Sequence, residues 1–107
     1  MLPKKNRVDR KEIDKIFKEG KFLNSPSLTF KFIKAKISYS RVSFIAPKSI
    51  AKLAVKRNSL RRKGYSALGK YFYKIGAGIV GVFIFKKGED SIPILENEIK
   101  NIIDKIH

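Results

Sequence analysis

Ile79-Val80-Gly81-Val82-Phe83-Ile84-Phe85 is apolar at every position, so neither face of this segment is suited to water. Six of its seven residues are β-branched or aromatic, the types that fit a pleated surface. It reads as the central strand of a sheet, and at this length it is far too short to span a bilayer. On its N-terminal side, the stretch from about Ala54 to Tyr73 reads as a helix. At about 100° per residue, Leu60, Gly64, Ala67, Leu68 and Tyr71 gather on one side as a core face. Gly64 in mid-helix costs roughly 1 kcal/mol relative to Ala, which close packing against the sheet would explain. On the C-terminal side, Ser91 caps a last helix whose buried stripe is Ile92, Leu95, Ile99, Ile102, Ile103 and Ile106.

The first half of the chain supplies the remaining elements. Residues 9–20 read as a short helix: Asp9 with Glu12 makes a capping box, and Val8 with Ile13 fills the staple positions. Ile13, Ile16 and Phe17 form its apolar stripe, and Gly20 is the expected C′ stop. Asn24-Ser25-Pro26-Ser27 is a turn. Leu28, Phe30 and Phe32 then alternate with Thr29, Lys31 and Ile33 as a strand. A second strand runs from about Arg41 to Ala46 and ends at Pro47, with Lys36–Ser40 polar enough to serve as a hairpin connection. A short strand or extended turn can fill 48–52. The expected order is αββ(β)αβα, an α+β helix–sheet sandwich forming a single domain over residues 1–107.

Charge points to the partner. The 107 residues carry 25 Lys and Arg against nine Asp and Glu, a net charge of +16. From Gly20 to Gly88 there is no acid at all, while 16 Lys and Arg fall in that span. Hydrophobic content of 43% with 11% aromatic is ordinary for a globular chain, so this charge is not that of a disordered tail. It concentrates in Lys56-Arg57-Asn58-Ser59-Leu60-Arg61-Arg62-Lys63. Solvated helices normally mix signs so that side chains at i and i+4 attract, yet Arg57 and Arg61 repel with no carboxylate in the helix to relieve them. Three of the chain's six arginines fall in 57–62, and planar guanidinium suits phosphate. Tyr65 is an aromatic within this basic arc. The pattern calls for a polyanion, and nucleic acid is the expected one.

Other chemistries find little footing. The glycines of Gly76-Ala77-Gly78-Ile79-Val80-Gly81 follow a helix and lead into a strand, the reverse of a dinucleotide fingerprint. The single histidine, His107, cannot anchor a triad. The basic middle has no carboxylates with which to hold a catalytic Mg²⁺, so no protein hydrolytic site is expected. Absence of cysteine suits a reducing cytoplasm, and the polar, basic N-terminus shows no signal peptide.

Taken together, these residues resemble the protein subunit of bacterial ribonuclease P. The resemblance rests on Lys5-Asn6-Arg7, then Ile13, Phe17 and Gly20; on Arg41-Val42-Ser43-Phe44; and on the lysine-bearing loop from Lys48 to Lys52. Its hallmark is the helix start Arg57-Asn58-Ser59-Leu60-Arg61-Arg62, where Ser59 replaces a usual arginine. The order is kept over nearly the whole chain. The resemblance implies a mixed sheet with a left-handed βαβ crossover, an exception to the usual hand, as in the second domain of a small-subunit ribosomal protein. It implies a catalytic RNA as partner, which holds the Mg²⁺ and performs the hydrolysis, and precursor tRNA as substrate of the ribonucleoprotein. Lys48, Lys52, Lys56, Arg57, Asn58, Arg61, Arg62 and Lys63 would then face RNA. Phe17, Phe32, Ile13 and Tyr65 would line a cleft for the 5′ leader of the precursor, and no small-molecule substrate or membrane is implied. A basic structural ribosomal protein is the main alternative. A DNA-binding regulator lacks a visible dimer seam, and a membrane-active peptide would carry its apolar face on one helix.

Overall fold

A computed structural model describes residues 6–106; Lys5 and His107 lie outside the described residues. Its elements are α1 (Arg10–Glu19), β1 (Lys21–Asn24), β2 (Leu28–Lys34), β3 (Arg41–Ile45), α2 (Ala54–Gly69), β4 (Ile79–Phe85) and α3 (Ile92–Ile106), with a 3₁₀ turn at Phe72–Ile75 after α2. One sheet is ordered β1-β2-β4-β3. β4 runs antiparallel to β2 and parallel to β3, so the all-apolar segment is central as its composition requires. Among the described residues no helix is long and apolar enough to cross a membrane.

Alternation along the strands sorts side chains onto two faces. On one, Phe30, Phe83 and Phe44 are direct cross-strand neighbours, and their rings stack at 4.4 and 5.0 Å. Tyr65 of α2 closes this row edge-on against Phe44, and α2 and α3 bury it with Leu60, Leu68, Leu95, Ile99 and Ile103. Gly64 lies against the Phe44 ring, where an added Cβ would meet ring carbons at 2.6 Å. On the opposite face Val80 and Val82 pack beneath Ile16 of α1, with Val8, Ile13 and Ile33 around them.

Local signals set α1. The Asp9 carboxylate accepts from Glu12 N–H and the Glu12 carboxylate accepts from Asp9 N–H, which completes the capping box. Gly20 ends the helix in an extended rather than left-handed conformation, with φ of −72°. Glycine is needed there because a Cβ would stand 2.4 Å from the Ile16 carbonyl oxygen.

Three expectations are corrected. β2 and β3 do not form a hairpin, because β4 inserts between them and pairs with both. The additional strand is not at 48–52, which forms turns after Pro47, but at Lys21–Asn24, paired with β2 through the predicted 24–27 turn. α2 stops at Gly69, and Tyr71 is half-buried beyond it. Glu98 of α3 fastens the 24–27 turn: its carboxylate accepts from the Ser25 hydroxyl and the Ser27 N–H. Burial pushes that carboxyl up, but the hydrogen bonds from Ser25 and Ser27 and the charge of Lys87 outweigh it and hold it below its usual range.

Candidate nucleic-acid interface

α2 begins at a bare N-terminus: Leu53 offers no side-chain cap, and no acid stands in the first turn. Positive helix dipole and side-chain cations therefore add at one end of the molecule. Lys48 and Lys52 of the preceding loop and Lys56, Asn58, Arg61 and Arg62 of α2 are exposed. Arg57 is half-buried and turned back: its guanidinium donates to the carbonyls of Ala51 at 3.0 Å and Lys52 at 2.7 Å. Arg61 donates to the Asn58 side chain. Among the described residues, no carboxylate comes within ion-pair distance of Arg57, Arg61 or Arg62. Lys63 does meet one, 3.7 Å from Asp90 at the surface, a distance that contributes little.

Beside α2 lies a groove of about 890 Å³ between the N-terminal segment and the outer edge of β3. Arg7, Arg41, Arg61 and Arg62 line it with Asn58 and Asp9, so four of the chain's six arginines face one cleft. Arg41 is held in place by Glu12 at 3.2 Å and by the Arg7 carbonyl at 3.1 Å. Asn6 donates to the Ser40 carbonyl and Val8 N–H to the Ser43 hydroxyl, which fixes the N-terminal segment against β3. Arg7 and Arg41 are far from the basic helix in sequence; only the pairing of this segment with β3 joins them to it.

The residues assigned to a leader cleft separate. Phe17 is 45% exposed on α1, and Ile13 is half-buried on the same helix. Phe32 is 5% exposed and belongs to the opposite face, in the core beneath α2 and α3. Strand alternation is the reason: the residue of β2 that faces α1 is Lys31, whose ammonium sits 4.9 Å from the Phe17 ring centroid. Tyr65 also departs from the exposed position expected of it. It is buried, its hydroxyl accepting from Phe44 N–H at 3.2 Å, although it reaches the floor of the arginine groove. What α1 leaves uncovered is the half of its sheet face around Thr29, Lys31, Ile45 and Ile84, all partly exposed.

The chain matches the Ribonuclease P family model over residues 2–107. The chain belongs to the ribonuclease P protein family. A ribonuclease P protein component from Pseudanabaena sp. (strain PCC 6903) is 27% identical over 109 residues, covering 98% of this chain and 94% of the relative. The ribonuclease P protein from Thermotoga maritima has the same fold, with a TM-score of 0.84 at 25% identity over 94% of this chain and 97% of that one. The Staphylococcus aureus ribonuclease P protein superposes with a TM-score of 0.81 over 94% of each chain; at 16% identity the likeness is one of fold. This ribonuclease P protein is thus a component of an endoribonuclease ribonucleoprotein, with an RNA partner implied.

Proposed function

We propose that this protein docks on the catalytic RNA of ribonuclease P through α2, the 48–53 loop and the arginine groove, and holds the 5′ leader of precursor tRNA on the open sheet face beside α1. The observation that carries the reading is the set of unneutralised cations on one helix: among the described residues, no carboxylate comes within ion-pair distance of the exposed Arg61 and Arg62. Left alone these charges repel, and closely spaced phosphates are the natural complement. Lys48, Lys52 and Lys56 extend the same basic surface, and Arg57 serves it by shaping the loop. The exposed Phe17 ring and the Lys31 ammonium offer an unpaired strand a stacking surface and a phosphate contact. The protein's role is then to raise the ribonucleoprotein's grip on precursor tRNA while the RNA cleaves. In this reading the Mg²⁺ used in cleavage is held by the RNA.

Reconstitution with the catalytic RNA tests this. The Arg61→Ala/Arg62→Ala double variant is expected to bind that RNA more weakly, with the slope of log affinity against log salt reduced by about 2. It should also lose leader cleavage at low Mg²⁺. An unchanged salt slope together with full activity at low Mg²⁺ would remove α2 from the RNA interface.

A further inference from the structure

β1 is the outer edge of the sheet, and its Phe22 is 62% exposed. A single exposed apolar side chain on a surface is ordinary and asks for no explanation. Phe22, however, is not isolated. It stands directly across from Lys31 in the β1–β2 register, on the same face as α1, and directly opposed residues of an antiparallel pair bring their Cβ atoms to about 5 Å. Lys31 in turn lies 4.9 Å from the Phe17 ring. One lysine is thus flanked by two exposed aromatic rings, one from the helix and one from the edge strand. Leu23, the next residue of β1, turns the other way and packs against the opposite core, so Phe22 contributes little to folding.

We infer that Phe22 forms a second stacking step, sharing Lys31 with Phe17, that takes one unpaired nucleotide of the RNA leader at the edge of the sheet furthest from the arginine groove. The inference rests on the leader reading above. The base lies on the Phe22 ring and its phosphate meets the Lys31 ammonium. β1 and β2 carry Lys21, Lys31 and Lys34 and no acid, which suits a polyanionic strand crossing them. Every base has a π-face, so the step tolerates any sequence and selects for single-strandedness. Position sets what it reads. The arginine groove lies along β3, and β1 is three strand spacings away across the sheet, about 14 Å. A strand entering at the RNA-docked edge reaches Phe17 and Lys31 first and Phe22 last. Phe22 therefore distinguishes long leaders from short ones.

The test uses the reconstituted ribonucleoprotein and a series of precursor tRNAs whose leaders lengthen by one nucleotide. Phe22→Ala is expected to leave affinity for short-leader precursors unchanged and to weaken binding of the longest by about 10-fold, the scale of one base–aromatic stack. Phe22→Tyr should restore it. Annealing a complementary oligonucleotide over the outer leader nucleotides should erase the difference between wild type and Phe22→Ala. Wild-type-like affinity of Phe22→Ala at every leader length, while the wild type still gains from lengthening, would overturn the Phe22 step alone. So would an equal loss on leaderless tRNA. A wild-type ribonucleoprotein indifferent to leader length would overturn the leader reading itself, and this step with it.

Discussion

The two faces of the sheet are built from the same four strands yet solve different problems. Beneath α2 and α3, Phe30, Phe83 and Phe44 stack from strand to strand and are almost wholly buried. Beneath α1, one short helix covers only part of the surface, and Phe17, Phe22 and half of the sheet remain in contact with water. The first face carries the stability, and that is what permits the second to stay open. A face that closed fully on both sides would hold the fold and bind nothing.

Variants can sharpen or break this contrast. The largest effect is expected for Phe30→Ala, which removes a fully buried ring from the middle of the aromatic row and should cost about 3–5 kcal/mol in urea unfolding. Next comes Gly64→Ala. Helix propensity alone predicts a gain of about 1 kcal/mol. The new methyl, however, would sit 2.6 Å from carbons of the Phe44 ring, which is stacked on Phe83 and meets Tyr65 edge-on. Overpacking of this kind costs about 1–3 kcal/mol, so a net loss is expected; a rise in the unfolding midpoint would show the packing to be looser than described. The smallest change in stability, about 1 kcal/mol, is expected for Phe17→Ala, because nearly half of the residue is already exposed. That variant should nevertheless weaken leader-dependent binding of precursor tRNA. If it unfolded the protein as severely as Phe30→Ala, the division between a load-carrying and a ligand-carrying face would not stand.

Local features were readable from the sequence. The Asp9–Glu12 capping box, the turn at 24–27, the stripe of α3 and the central position of 79–85 all follow from neighbouring residues and came out as expected. Relations between distant segments were not. β2 and β3 are neighbours in sequence, which favours a hairpin, but the crossover through α2 brings β4 between them. β1 escaped notice because only one of its four residues, Leu23, turns toward the core, leaving no alternation to see. Alternation alone does not say which side of β2 meets α1; Phe32 faces the opposite core, and the residue that lies beside Phe17 is Lys31, one step along the strand. Arg7 and Arg41 join the basic helix only through tertiary pairing, which no helical wheel contains.

The inward turn of Arg57 has a kinetic consequence. By bonding two consecutive carbonyls of the preceding loop, it sets the loop's shape while the protein is still free. The conformational entropy of ordering that segment is lost at folding rather than at encounter. Assembly with a polyanion can then proceed as a nearly rigid collision, its speed set by long-range attraction and ionic strength instead of by the search for a loop conformation.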